Sequence, residues 1–367
     1  MRTPTLAATA ALVLAALPAA LPAQNLYPEG SVVGGVTVRQ YNYGSGFPID
    51  YARQIAVPVA LAAPVGKRLS VDIGTYYAVT TVRQGGKNTS FSNITDTQLR
   101  AAYTLGVDAL VASVMVNLPT GPETTTLQRF GVAASAASNF LLFPVNTYGT
   151  GFSVTPGLAG AVTTGNWNLG LAASVRWSSE YEPFSGSTSV KYQPGLETRI
   201  RAGVDRLVGK GRFALGATFS TFASDQLSGS GLGGGTFDPG NRLLVDGEYT
   251  FPASGGTITT YAWNYYRAAS SGGSTERENV LAAGLSGRWS IGAKTSLEPV
   301  VEARFWSPET GSGTLVGGGT ALRMQLSPKF TFSPSARLDL GSVKTATSSG
   351  SKSVFGWEFS AIMRYGI

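Results

Sequence analysis

Two side chains that commonly do chemistry are missing from this 367-residue sequence, which contains neither histidine nor cysteine. Without them no Ser-His-Asp or Cys-His arrangement can activate a nucleophile. The usual zinc ligands go with them, and only carboxylate metal sites remain. GSGLGG, from Gly229 to Gly234, spells a nucleotide-binding glycine pattern, but that pattern grips phosphate only between a strand and a helix. Here Phe237-Asp238-Pro239-Gly240, another turn cluster, follows it, so the stretch reads as a flexible surface loop. What remains is arginine chemistry. Arg199 and Arg201 follow Glu197 at alternate positions, and Arg304 follows Glu302 in the same way. A planar guanidinium beside a carboxylate either closes an ion pair or offers a forked donor to a passing anion. The expectation is a protein that binds or passes charged solutes, with no enzyme activity, no cofactor and no metal.

The elements that place those arginines show strict alternation. The chain ends in VFGWEFSAIMRYGI, where Phe355, Trp357, Phe359, Ala361, Met363, Tyr365 and Ile367 take one face of a strand. Glu358, Ser360 and Arg364 take the other. KFTFSPSARLDL and NWNLGLAASVRW repeat the pattern, and about sixteen such stretches run from 32–43 to 353–367, with fourteen to eighteen allowed by uncertain boundaries. Connections alternate between long and tight. The long ones fall at 44–51, 83–92, 119–149, 181–188, 225–240, 270–275, 308–312 and 342–352; the tight ones include 64–67, 107–108, Gly165 and Gly209-Lys210. One end of the sheet then carries every long loop. That asymmetry belongs to an antiparallel up-and-down transmembrane β-barrel, whose apolar face touches lipid.

Composition agrees. Charged residues make up 13% of the chain, well below a soluble domain, and no run of apolar residues is long enough for a membrane helix. Residues 1–23 read as a secretory signal cut after Ala23, and 24–367 as an all-β barrel with no N-terminal plug. The net charge of +7 is scattered singly, which argues against nucleic acid. Aromatics near strand ends (Trp167, Trp177, Tyr192, Phe251, Trp289, Phe305, Trp357 and Tyr365) suit the two membrane interfaces.

Residues 354–367 resemble the C-terminal signal of bacterial outer-membrane barrels, with Ile367 where that family most often has Phe. The resemblance implies recognition of this strand by the barrel insertion machinery and residence in the bacterial outer membrane. TDTQLRAAYTL, then VMVNLPTG and GNWNLGL, resemble, over about a third of the chain, outer-membrane transporters of aromatic-compound degradation related to the long-chain fatty-acid transporter family. That likeness implies a gated path for hydrophobic or aromatic compounds.

The inward face should carry function. Arg100, Arg176, Arg199, Arg201 and Arg242 point into the lumen by alternation, as do Glu302, Arg304 and Arg337. Twelve inward arginines, among them Arg39, Arg212, Arg288, Arg323 and Arg364, face eight carboxylates, among them Glu298, Asp339 and Glu358, which makes the lumen basic. Pairing such as Glu197 with Arg199, or Glu302 with Arg304, would stiffen the wall instead. A barrel this wide leaves an aqueous channel unless something fills it. The candidate is the apolar loop 119–149, where Glu123 and Arg129 are the only charges and Phe130, Phe140 and Phe143 could narrow the pore. Three readings follow: a channel for small solutes through a polar lumen, a gated transporter of hydrophobic or aromatic compounds, and a structural or adhesive barrel without conductance. Lipid, small solutes and further copies in an oligomer are the expected partners.

Overall fold

The computed structural model describes residues 30–105, 110–184, 190–229, 235–271 and 275–367. The expected signal at 1–23, the turn at 107–108 and most of the glycine spelling at 229–234 lie outside them. In chain order the strands are β1 (Ser31–Tyr43), β2 (Tyr51–Val65), β3 (Leu69–Gln84), β4 (Lys87–Ile94), β5 (Thr97–Leu105) and β6 (Leu110–Leu118). Helix α1 (Leu127–Ala136) precedes β7 (Ser153–Thr164), β8 (Trp167–Ser178), β9 (Tyr181–Phe184), β10 (Val190–Gln193), β11 (Glu197–Val208) and β12 (Gly211–Phe222). Then come β13 (Asp225–Gly229), β14 (Gly235–Phe237), β15 (Arg242–Ala253), β16 (Gly256–Arg267), β17 (Glu278–Gly292), β18 (Thr295–Pro308), β19 (Ser312–Gln325), β20 (Phe330–Lys344) and β21 (Lys352–Gly366).

Every neighbouring pair in the large sheet is antiparallel, and β1 bonds to β2 on one side and β21 on the other, from Ser31 opposite Gly366 to Tyr43 opposite Val354. The sheet therefore closes. β4 and β5 pair with successive halves of β3 and act as one interrupted strand, which makes sixteen staves. Closure gives backbone amides partners within the sheet, the condition for a β-structure in lipid. Outward positions are apolar: Val32, Val59, Leu171, Ile200, Leu285, Leu338 and Phe359 are all exposed. Trp177, Phe305 and Phe355 ring the loop end, and Trp167 and Tyr365 the turn end, where the Arg206 guanidinium sits 5.0 Å over the Trp167 ring. No helix among the described residues is long and apolar enough to cross a membrane.

Two expected segments differ. The 83–92 stretch is a β-hairpin turning at Gly85-Gly86, both at positive φ, with β4 continuing the ladder beyond the wall. The strand expected over 189–205 is two elements, β10 and β11, separated by Pro194-Gly195-Leu196, because proline cannot donate to a ladder. With β9, β13 and β14, β10 forms a four-stranded sheet above the loop end. Tyr192 therefore leaves the expected membrane girdle and stacks on Phe237, with ring centroids 6.2 Å apart.

Candidate functional site

The link between β6 and β7 turns inward. Its two feet are gathered by the buried carboxylate of Asp96, at the break between β4 and β5. Asp96 accepts from the Gly121 amide at 3.0 Å, the Thr150 amide at 2.7 Å and Asn117 Nδ2 at 2.8 Å. Thr126 caps α1, accepting from the Arg129 amide, and the helix packs on β2, β3 and β4. Beyond it, Phe140, Leu141, Phe143, Val145 and Tyr148 are buried in a cluster with Tyr41, Ala52, Ala56, Phe91 and Leu315. Phe140 stacks on Trp306 of β18, eight staves from β6 in a ring of sixteen. The loop thus reaches the wall halfway round the barrel.

Polar wall side chains hold the loop by its backbone. Tyr41 OH donates to Leu141 O at 2.8 Å, Arg39 donates to the same oxygen at 3.3 Å, and Arg304 donates to Phe140 O. Gln54 bonds both the Val145 amide and its carbonyl, each at 2.7 Å, and Tyr148 OH meets the Thr80 hydroxyl at 2.7 Å. Burial pushes the Tyr148 phenol up to about 12, against the opposing pull of its bonds to Thr80.

Those arginines belong to a lattice. Arg304 lies 3.0 Å from Glu302 and 3.4 Å from Asp339, while Arg337 reaches Glu302 at 2.9 Å and Asp339 at 3.0 Å. Arg39 pairs with Glu358, the Tyr41 proton is shared between Leu141 O and Asp339, 3.1 Å away, and Tyr261 donates to Glu302 at 3.0 Å. Three guanidinium groups face three carboxylates, so the lattice carries no surplus charge. Glycines alternate with these side chains across the strands: Gly317 lies beneath Asp339 and Gly356 beneath Tyr41.

The wall away from the loop is different. Arg176 and Arg199 share one carboxylate, Glu197, at 3.3 and 2.6 Å. Arg242 lies 4.6 Å over the Phe222 ring and makes no ion pair among the described residues. The side chains of Arg176 and Arg199 are 38% and 31% exposed, whereas Glu197 is buried. Positive charge here is in surplus and faces water.

The expected lumen residues therefore separate into two groups. Arg100 pairs with Asp72 at 2.8 Å, and Arg201 is buried against Asp246 with two bonds of 2.9 Å. Glu302, Arg304 and Arg337 anchor the loop, and Arg304, 1% exposed, is covered by it. Arg176, Arg199 and Arg242 line open space. Of the loop residues, Phe140 and Phe143 are packed against the wall, while Phe130 and Arg129 are exposed and Glu123 is half-buried on the approach to α1. Asp96, Gln54, Tyr41 and Trp306 went unnoticed in the sequence. Asp96 alone left a signal, a Thr-Asp-Thr interruption in an otherwise strand-like run. No group of three carboxylates converges on a metal position among the described residues.

No family model matches this chain, and no curated protein matches its sequence. Solved structures with a similar course include a loop L8 deletion mutant of OmpT, an outer membrane protein of Vibrio cholerae, at TM-score 0.43 and 11% identity, covering 93% of this chain and 100% of that one. The anion-selective porin from Comamonas acidovorans aligns at TM-score 0.43 and 10% identity over 92% and 98% of the two chains. The outer membrane channel DcaP of Acinetobacter baumannii aligns at 0.40 and 11% over 92% and 98%. By its own closed strand order and apolar outer face, this chain is a transmembrane β-barrel with a loop folded into its lumen.

Proposed function

We propose that the chain is a bacterial outer-membrane channel for small solutes that favours anions. The observation that carries this reading is the uneven wall. Charge is balanced where the loop covers the lumen, and arginine exceeds carboxylate where the wall faces water. A surplus of fixed positive charge in a narrow, low-dielectric passage raises the local anion concentration and lowers that of cations. The loop sets the width of the passage, and its aromatic side chains serve to hold it in place. With Phe140 and Phe143 packed away, the apolar contacts expected of a hydrophobic-compound transporter are used internally. No catalytic role is assigned. Export by the N-terminal signal, insertion guided by the last strand, and assembly with further copies belong to the same reading.

Planar-bilayer recording of the refolded chain tests it. A steady conductance with an anion-leaning reversal potential is expected, and Arg176→Glu with Arg199→Glu should move that potential toward cations. A silent membrane would leave the structural-barrel reading. An unmoved potential would remove these arginines from the pathway.

A further inference from the structure

Arginines also gather at the turn end of the lumen, beyond the loop-holding lattice. Arg288 on β17, Arg323 on β19 and Arg364 on β21 all occupy inward positions. Arg288 lies beside Glu298, Arg323 opposite Ser296, and Arg364 opposite Thr331 and Val33. From one of these strands to the next the arginine steps two residues toward the turns, which follows the tilt of the staves and brings all three to about one height. Arg288 and Arg364 are the neighbouring cations of Arg323, and Glu298 is its neighbouring carboxylate. Glu298 is already engaged by Arg288, at 2.7 Å to Nε and 2.6 Å to Nη2, and by the Ser296 hydroxyl at 3.3 Å. Arg323 makes no ion pair among the described residues.

The wall between the arginines mixes hydroxyls with the apolar side chains of Ala321 and Ile362. Ser333, Ser335, Ser360 and Thr37 face inward there, with Thr37 donating to Ser360 at 3.0 Å. Lys294 and Lys329 stand in the adjoining turns and add two more positive charges. Like-charged guanidinium groups held on rigid strands repel one another, and an anion placed among them relieves that repulsion while accepting forked N–H donors. Hydroxyls supply further donors without adding charge.

We propose that Arg288, Arg323 and Arg364 form a second anion site, at the turn end of the lumen, that binds small polyvalent oxyanions of the phosphate type, free or as a monoester. Its part in transport rests on the channel reading, but its binding does not. The site gives the passage two stations: an outer one at Arg176, Arg199 and Arg242, and an inner one here.

Titration calorimetry on the full chain folded in detergent, with inorganic phosphate and glycerol phosphate as probes over a chloride background, tests the site. Saturable binding of either probe is expected. Arg323→Gln combined with Arg364→Gln should weaken it about tenfold or more, the scale of lost charge-assisted hydrogen bonds. Arg323→Lys, which keeps the charge and the fold but removes the fork, should weaken it less. No heat above the chloride background, or unchanged affinity in the variants, would overturn the proposal. Because calorimetry needs no conductance, a membrane that stays silent while phosphate still binds would refute the channel and leave the site standing.

Discussion

Phe140 lies against the indole of Trp306, ring centroids 5.7 Å apart and planes 20° from parallel, on the wall halfway round the barrel from the strand that launches the loop. This contact, with the bonds from Arg304 to Phe140 O and from Tyr41 and Arg39 to Leu141 O, fixes the far end of a segment that spans the lumen. Phe140→Ala should remove about 3 kcal/mol of packing and produce a noisier and larger single-channel current. Deleting 124–143 should give a steady, still larger conductance; equal conductance in the parent and both variants would show that the loop does not set the width.

The lattice beneath the loop is a case where breaking a pair costs more than the pair contributes. Arg304→Met leaves Glu302 and Asp339 to share Arg337 and frees Phe140 O of its donor. A loss of about 3 to 5 kcal/mol is expected for an uncompensated buried charge. The readout is the temperature at which the folded band disappears on a semi-native gel, which should fall well below that of the parent.

Gly356 has its place because the Tyr41 ring lies across it, and that ring is held at its hydroxyl by both Leu141 O and Asp339. A methyl group at 356 overlaps the ring. Gly356→Ala should displace Tyr41 and loosen the loop, seen as faster protease cleavage within 124–143 while the barrel itself stays intact.

Arg199 and Arg201 are two residues apart yet differently placed, one 31% exposed beside Glu197, the other 9% exposed in a two-bond pair with Asp246. Arg199→Gln should shift the reversal potential, and the loss of stability is limited because Arg176 still pairs the buried Glu197. Arg201→Gln should do the reverse, lowering stability by about 2 to 4 kcal/mol through the stranded carboxylate. Ion selectivity and thermal melting, measured side by side, distinguish them.

The Tyr148 phenol, raised from 10.0 to about 12, binds its proton more tightly in the folded chain than in the unfolded one. Its stabilising contribution is therefore complete below pH 10 and fades as pH climbs through about 12. Ultraviolet titration should show a late-ionising phase that Tyr148→Phe diminishes by one phenol while Tyr181, raised to about 12 as well, remains in it, and loop protection against protease should decline over the same interval.

Much of this was legible in the residues. A period of two along sixteen stretches is a local property, since each strand's two faces meet different solvents whatever its neighbours do, and the long and tight connections can be counted along the chain. The ion pairs of Glu197 with Arg199 and Glu302 with Arg304 were legible for the same reason, since their partners lie two residues apart on one strand. Pro194 marked the split of the 189–205 stretch, but alternation continues across it, so the break was hidden.

The sequence by itself determined a sheet with one greasy and one polar face, because alternation needs no partner to be expressed. Only the tertiary structure decided which inward charges face open space. Arg304 and Arg176 look alike in the sequence, yet the loop from the opposite wall covers the first and leaves the second in open space. That difference depends on contacts between residues more than a hundred positions apart, such as Phe140 with Trp306, where the packing of a folded loop chooses among side chains that local pattern cannot rank.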